Sequence, residues 1–447
     1  MRNPLIFTTM KPNVVALDAG GATLKASVVA QGAPQHASLL ANHVAATAAN
    51  PSAVFIGQTL RDHERKRTNL RYVRPVERSV RRRSGDSSAC QPLFYKETDI
   101  WSHLFSKEAG SRRIPGSLSD NMGSDVVRWL QMLNVDPAEH SLVLTAPLLA
   151  PSIVNESMDQ VVFEEFGFQA YSRVSAAEMC VLSYSEFTER EYQASVATSK
   201  PVKRSPTRKR RKKAASPGAG TSPRSREDDP LRFSTSSCHL VVDSGFSFTH
   251  VVPVIDGKAH LPGVKRINVG GKLLTNYLKE IVSFRQWNVM DDTPVINELK
   301  EALCYCSMNF DRDMKRYHTD RQQRKHWILP DFVRSFEGRV REEPAGAAQP
   351  LADNGNDEQA LEMGVEMVTV PEVLFNPSDI GIHQAGIAET IVQAVEACPE
   401  ELHGAFYANI LLAGGNIKFR NFQTRLERDL RTLVPDEFEI GVHTPSE

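Results

Sequence analysis

The 447-residue chain predicts an α/β fold of two related lobes meeting at a central cleft. The main observation is an apolar strand that runs into a glycine turn at three places. These are Val14-Val15-Ala16-Leu17-Asp18-Ala19-Gly20-Gly21, Leu240-Val241-Val242-Asp243-Ser244-Gly245 and Ile410-Leu411-Leu412-Ala413-Gly414-Gly415-Asn416. Two of these turns open with an aspartate and stand about half a chain apart, as a duplicated lobe requires. Stretches of helical apolar spacing separate the strands, which excludes an all-β protein. Glycine lets backbone approach phosphate oxygens, and consecutive N–H groups at such a turn form an anion-binding nest. Asp18 and Asp243 suit a hydrated magnesium, which keeps most of its waters, and Lys25 suits a terminal phosphate. Either turn alone is an ordinary strand end. The pair, with a third Gly-Gly, points to phosphate binding.

Length and composition allow about two to three domains with a substantial core. The chain is 41% hydrophobic and 24% charged with a net charge of −1, ordinary values for a globular protein. Its six cysteines show no disulfide rhythm, which fits a reducing compartment. Cys304 and Cys306 fall in a helical pattern that would point their thiols in different directions, away from a shared metal. No run of about 18 apolar residues suggests a membrane span. Pro4, Lys11 and Asp18 interrupt anything like a secretory signal.

Residues 12–30 read as a strand, the first turn and a second strand. Residues 77–91, with Arg81-Arg82-Arg83, read as an exposed insertion without periodicity. Helical spacing returns at 98–105 and 124–133. Leu142 to Thr145 is a buried strand stopped by Pro147. Ile153, Val154, Met158, Val161, Val162 and Phe166 mark an amphipathic helix, and another follows over 175–187.

At 190–236 the composition breaks. Lys203-Arg204 and Arg208-Lys209-Arg210-Arg211-Lys212-Lys213 stand among Ser-Pro and Gly elements with almost no large apolar residue. Such a segment buries too little surface to offset its ordering entropy and predicts a disordered linker. Its two basic clusters suit nuclear targeting, a nonspecific DNA contact or a solvated charge run. Beyond it, Leu273, Leu274, Tyr277, Leu278, Ile281 and Val282 form one helical face after Gly270-Gly271. Thr293 is the expected N-cap of the next helix, with Pro294 at its first position. Residues 311–326 are very polar, and 341–360 is a Pro/Gly/Ala/Asn-rich loop. Helical patterns over 387–397 and 422–433 flank the third glycine strand.

These motifs resemble the actin family, in the superfamily shared with sugar kinases and Hsp70-type ATPases. Leu144-Thr145-Ala146-Pro147-Leu148 and Pro371-Glu372-Val373-Leu374-Phe375-Asn376-Pro377-Ser378 carry the resemblance. It implies an actin-like (duplicated ribonuclease-H-like) two-lobe ATPase fold with a central nucleotide cleft. Residues 11–189 are then the first lobe, with the Arg-rich insertion where the family has V-x-N-W-D. The linker spans 190–236. Residues 237–447 form the second lobe, with a polar insertion near 311–360 and without the family's C-terminal W-x-G-G return to the first lobe.

Further segments resemble a nuclear, actin-related branch of the family. They are Asp243 to His250, Arg266 to Asn276, Arg285-Gln286 with Val289-Met290-Asp291, Leu329 to Phe332, and Asn376 to Gly381. That resemblance implies a structural subunit of SWR-type (SRCAP-like) remodellers, which exchange histone two-A for its Z variant in nucleosomes. Its implied partners are the Snf-type ATPase and other subunits, nucleosomal histones and DNA, with no membrane. Its implied place is the nucleus, with the cytoplasm as a second compartment.

The resemblance sets Asp18, Gly20, Lys25, Asp243, Gly245, Gly271, Gly414 and Gly415 around the phosphate tail of ATP or ADP with magnesium. Lys300 and Glu301 match the family pair at the adenosine. A lysine stem can stack on a base and a carboxylate can accept a ribose hydroxyl. Hydrolysis needs an oriented water and charge stabilisation at the phosphoryl group. Where the family has a glutamine for that water this chain has Ser175, and where it has an aspartate in the second loop it has Phe246. The expectation is a nucleotide-binding protein with negligible turnover. The alternatives are an ATP-hydrolysing or a filament-forming member of the superfamily, since one fold hosts all three.

Overall fold

The computed structural model describes residues 13–30, short strand segments between 33 and 81, residues 135–150, 152–198, 236–331, 335, 337–341 and 358–445. In the first lobe, β1 (Val14–Ala19) and β2 (Thr23–Ala30) form an antiparallel hairpin around the first glycine turn. β3 (Ser141–Thr145) runs parallel to β1 on its other side, and β4 (Ala170–Val174) runs parallel to β3. Between them lies α1 (Ser152–Gln160), and α2 (Ala176–Thr198) follows β4. Val15, Leu17, Leu24, Leu142 and Leu144 form the core of this sheet with Val161, Val162 and Phe168.

The second lobe repeats the arrangement. β5 (Cys238–Ser244) and β6 (Thr249–Ile255) form the antiparallel hairpin, and β7 (Ile410–Ala413) lies parallel to β5. The repeat extends to register. Asp18 pairs with Lys25 across the first hairpin, and Asp243 pairs with His250 across the second. Both aspartates therefore emerge at the same end of equivalent strands, which is what the two glycine turns predicted.

β5 is buried on both faces, so it reads as a continuous apolar run. One face gives Leu240 and Val242 to the main core, which gathers α3 (Gly271–Arg285), α4 (Thr293–Leu303), α5 (Phe310–Thr319), α6 (Glu366–Glu372), α7 (Ile387–Glu396) and α8 (Phe422–Leu433). The other face gives Val241, which packs with Val252, Val254 and Leu411 against Ala177 and Val181 of α2. A first-lobe helix thus seals the second-lobe sheet. Glu178 adds a polar link by accepting a hydrogen bond from the Ala259 N–H at 2.8 Å.

The structure adjusts several expectations. The helix expected over 175–187 continues to Thr198, so regular structure crosses the linker boundary drawn at 190. Asp292, not Thr293, precedes α4; the Thr293 hydroxyl instead accepts from the buried Lys279 ammonium at 2.9 Å. The polar 311–326 stretch contains α5 and the strand Lys325–Ile328. Asn309 caps α5 by accepting from the Arg312 N–H at 3.1 Å, and Asp311 and Asp313 favour its N-terminus. Phe310, Met314 and Tyr317, spaced by four and three residues, are enough to seat it on the core. Helix α4 ends at Leu303, so Cys304 and Cys306 lie in extended chain rather than in a helix. Both thiols are buried, and burial raises both pKa values, that of Cys304 to about 12.

Of the Arg-rich segment, the short pair Val76–Glu77 with Val80–Arg81 is described. The remainder of 77–91, the stretches at 98–105 and 124–133, residues 199–235 of the linker and the loop at 342–357 lie outside the described residues. No helix among the described residues is long and apolar enough to cross a membrane.

Candidate functional site

All three glycine turns converge at one place. In the first, a Cβ on Gly20 would lie 2.8 Å from the Thr23 carbonyl, so the tight return into β2 requires glycine. The Asp18 carboxylate accepts from the Thr145 hydroxyl at 2.7 Å, and the Lys25 ammonium stands 3.3 Å from its other oxygen. Thr145 also accepts from the Ala19 N–H at 3.2 Å, which ties the end of β3 to the turn.

The second turn is held more tightly. The Gly245 N–H donates to the Phe248 carbonyl at 3.0 Å, and the Ser244 and Thr249 hydroxyls are 2.9 Å apart. The start of α3 is laid against this turn. The Gly271 N–H donates to the Gly245 carbonyl at 3.0 Å and the Lys272 N–H to the Phe246 carbonyl at 2.9 Å. The third turn closes over the same backbone. Gly414 has φ +91°, and a Cβ there would stand 2.2 Å from the Ser244 carbonyl and 2.9 Å from an Asp243 carboxylate oxygen.

Asn416 is the functional residue that sequence reasoning missed. Buried just past Gly415, its side-chain amide donates to the Gly245 carbonyl at 2.8 Å and to the Ser244 hydroxyl at 3.1 Å. It staples the third turn to the second. A polar residue after Gly-Gly was the available signal, and nothing local distinguishes it from a surface turn residue.

The aspartates face one another electrostatically. Burial raises the Asp243 pKa, the negative charge of Asp18 raises it further, and Lys25 opposes both. Cys180, on the second turn of α2, lies near both carboxylates. Burial first, then Asp243 and Asp18, push its thiol up to about 11. A divalent cation between the two carboxylates would relieve this repulsion. Two carboxylates suit an ion held largely through its waters. Gly20 and Gly414, whose Cβ positions are blocked by backbone, keep the first and third turns tight. The residues present thus fit a magnesium nucleotide: the turns would hold the phosphates, and the metal would neutralise them.

The adenosine pair departs from expectation. Lys300 is buried, and its ammonium donates to Asn297 Oδ1 at 2.9 Å and to the Thr275 hydroxyl at 3.1 Å, with the Gly271 carbonyl at 3.5 Å. Burial lowers its pKa. The ammonium ties α4 to the start of α3, because Asn297 on its own helix and Thr275 and Gly271 on α3 replace its water shell, and the stem does not lie exposed for a base to stack on. Glu301 is exposed and accepts from the Asn297 amide at 2.7 Å.

Ser175 and Phe246 stand where the family has its glutamine and its second-loop aspartate. Ser175 is buried immediately before α2, and Ala176 and Ala177 follow it. Phe246 presents a ring. His250 is held neutral at pH 7: burial, then the charge of Arg266, lower its pKa to about 4.

Two lobes with matching Asp-Gly hairpins, sealed by a helix and meeting at a glycine-lined cleft, define a protein of the nucleotide-cleft class that also includes sugar kinases and Hsp70-type ATPases. The actin family model matches residues 97–447, and the chain belongs to the actin family. Similar proteins extend the likeness through the first aspartate turn. The actin-like protein ARP6 of Cryptococcus neoformans is 32% identical over 449 residues, covering 97% of this chain and 75% of that protein. Actin-related protein 6 of Drosophila melanogaster is 29% identical, covering 97% of this chain and 89% of that protein. Actin-related protein 6 of Arabidopsis thaliana is 32% identical, covering 78% and 72%.

Proposed function

We propose that this actin-family chain is a non-catalytic, nuclear subunit of an SWR-type (SRCAP-like) chromatin remodeller that exchanges histone two-A for its Z variant. Its cleft holds a nucleotide as a structural element bridging two lobes, and the remodelling work belongs to a partner Snf-type ATPase. The observation that supports this reading is the convergence of three glycine turns, with Ser175 and Phe246 where the family has a glutamine and an aspartate. A cleft of that kind stabilises an assembly surface rather than driving a cycle. The segments resembling the nuclear, actin-related branch, and the similarity to actin-related protein 6 of several organisms, support the choice of assembly. The basic clusters at Lys203–Lys213 are the proposed nuclear address.

Affinity purification of the full chain from nuclei, with identification of co-purifying proteins by mass spectrometry, tests this. The expected result is recovery of a Snf-type remodelling ATPase with its helicase-like partners and histones. Recovery of the chain in filaments or in cytoplasmic complexes, without that ATPase, would contradict it.

A further inference from the structure

The two aspartate turns touch across the cleft. A Cβ built on Gly21 would lie 2.7 Å from Ser247 Oγ and 3.4 Å from the Phe246 ring atom Cδ1. The first turn is therefore packed against the second through Phe246 and Ser247. A phosphate group set between the two turns would need its oxygens about 3 Å from N–H donors, with room for the group itself. The Phe246 ring stands against the first turn at Gly21 and offers no donor.

Phe246 is also fixed from behind. Its carbonyl accepts from the Lys272 N–H, and a Cβ on Gly270 would stand 2.6 Å from the same oxygen. The preceding Gly245 carbonyl accepts from both Gly271 and Asn416. A backbone shift that withdrew the ring would break these bonds together. The other end of the cleft is roomier, since a Cβ on Gly415 would meet nothing within 4 Å. A phosphate tail entering past Gly415 meets the aspartates and Phe246 at its far end.

We propose that the cleft is a nucleoside-diphosphate site, in which Phe246 fills the space between the first and second turns that the third phosphate of a triphosphate would need. This rests on the reading of the cleft as a nucleotide site.

The test is equilibrium competition of ADP and ATP, each with magnesium, against a ribose-labelled fluorescent ADP on the nucleotide-stripped full chain. The wild type is expected to hold ADP about tenfold or more tighter than ATP. Phe246→Gly should tighten ATP by about tenfold and leave ADP within about threefold. Phe246→Leu, which keeps an apolar side chain against Gly21, should fall between and serves if the glycine variant unfolds. Equal affinities for ADP and ATP in the wild type would overturn the diphosphate assignment and leave the nucleotide site standing. Binding of neither would overturn both.

Discussion

Arg425→Ala is expected to destabilise the second lobe by about 3–5 kcal/mol, the usual cost of stranding one member of a buried ion pair. Arg425 lies on α8 and Glu372 at the end of α6, with side chains only 8% and 3% exposed. The guanidinium donates to both Glu372 oxygens, at 3.0 and 2.8 Å, and to Asp429 at 2.7 Å. Its third contact is the Ser307 carbonyl at 2.6 Å, and its plane lies over the Phe375 ring at 4.8 Å from the centroid. One side chain thus joins α6, α8 and the extended chain after α4. With alanine there, Glu372 keeps a hydrogen bond from the Asn376 amide but loses its counter-charge. Chemical denaturation should show the loss, and Glu372→Met combined with Arg425→Met should recover most of it, because apolar pairs replace buried ion pairs at little cost. A loss below about 1 kcal/mol for Arg425→Ala would mean the pair is solvated.

Gly414→Ala is expected to damage both stability and the cleft. At φ +91° an L-residue is strained by about 1–3 kcal/mol before any clash is counted. The added methyl would also stand 2.2 Å from the Ser244 carbonyl, so β5 or β7 must move, and Asp243 with it. Thermal unfolding should shift down and ADP affinity should fall by about tenfold or more. Gly415→Ala is the matched control: its φ is −74° and its Cβ faces open space, so nucleotide-free stability should stay within about 0.5 kcal/mol of wild type. Equal losses in the two variants would contradict the close approach at Gly414.

The periodic features of this fold were legible in the sequence. The glycine turns end the strands expected of them, the apolar face of α3 is the buried one, and α8 spans 422–433 as its spacing implied. Those signals are local, because strand alternation and helical spacing are written within a few residues. The parts that escaped are long-range polar pairings. Nothing around Asn416 announces a partner 171 residues away at Gly245, and Arg425 meets Glu372 across 53 residues. Lys300 was expected at the adenosine because it matches the family pair there. Two of its oxygen acceptors, the Gly271 carbonyl and the Thr275 hydroxyl, come from another helix and turn it inward. Helix α5 was hidden by its own polarity, since few apolar residues are needed when a helix lies on a core that is already large. In the site, the glycine turns were readable as motifs. Phe246 was readable only as a departure from the family, and its contact with Gly21 needed the second lobe to be folded against the first.

The central claim is a cleft that holds nucleotide and does not turn it over. Its most direct test is inorganic phosphate release by the purified full chain with magnesium and saturating ATP, followed through many enzyme equivalents beside Asp243→Ala. The account predicts no steady release above the Asp243→Ala background. Continuous hydrolysis by the wild type, abolished in Asp243→Ala, would contradict it.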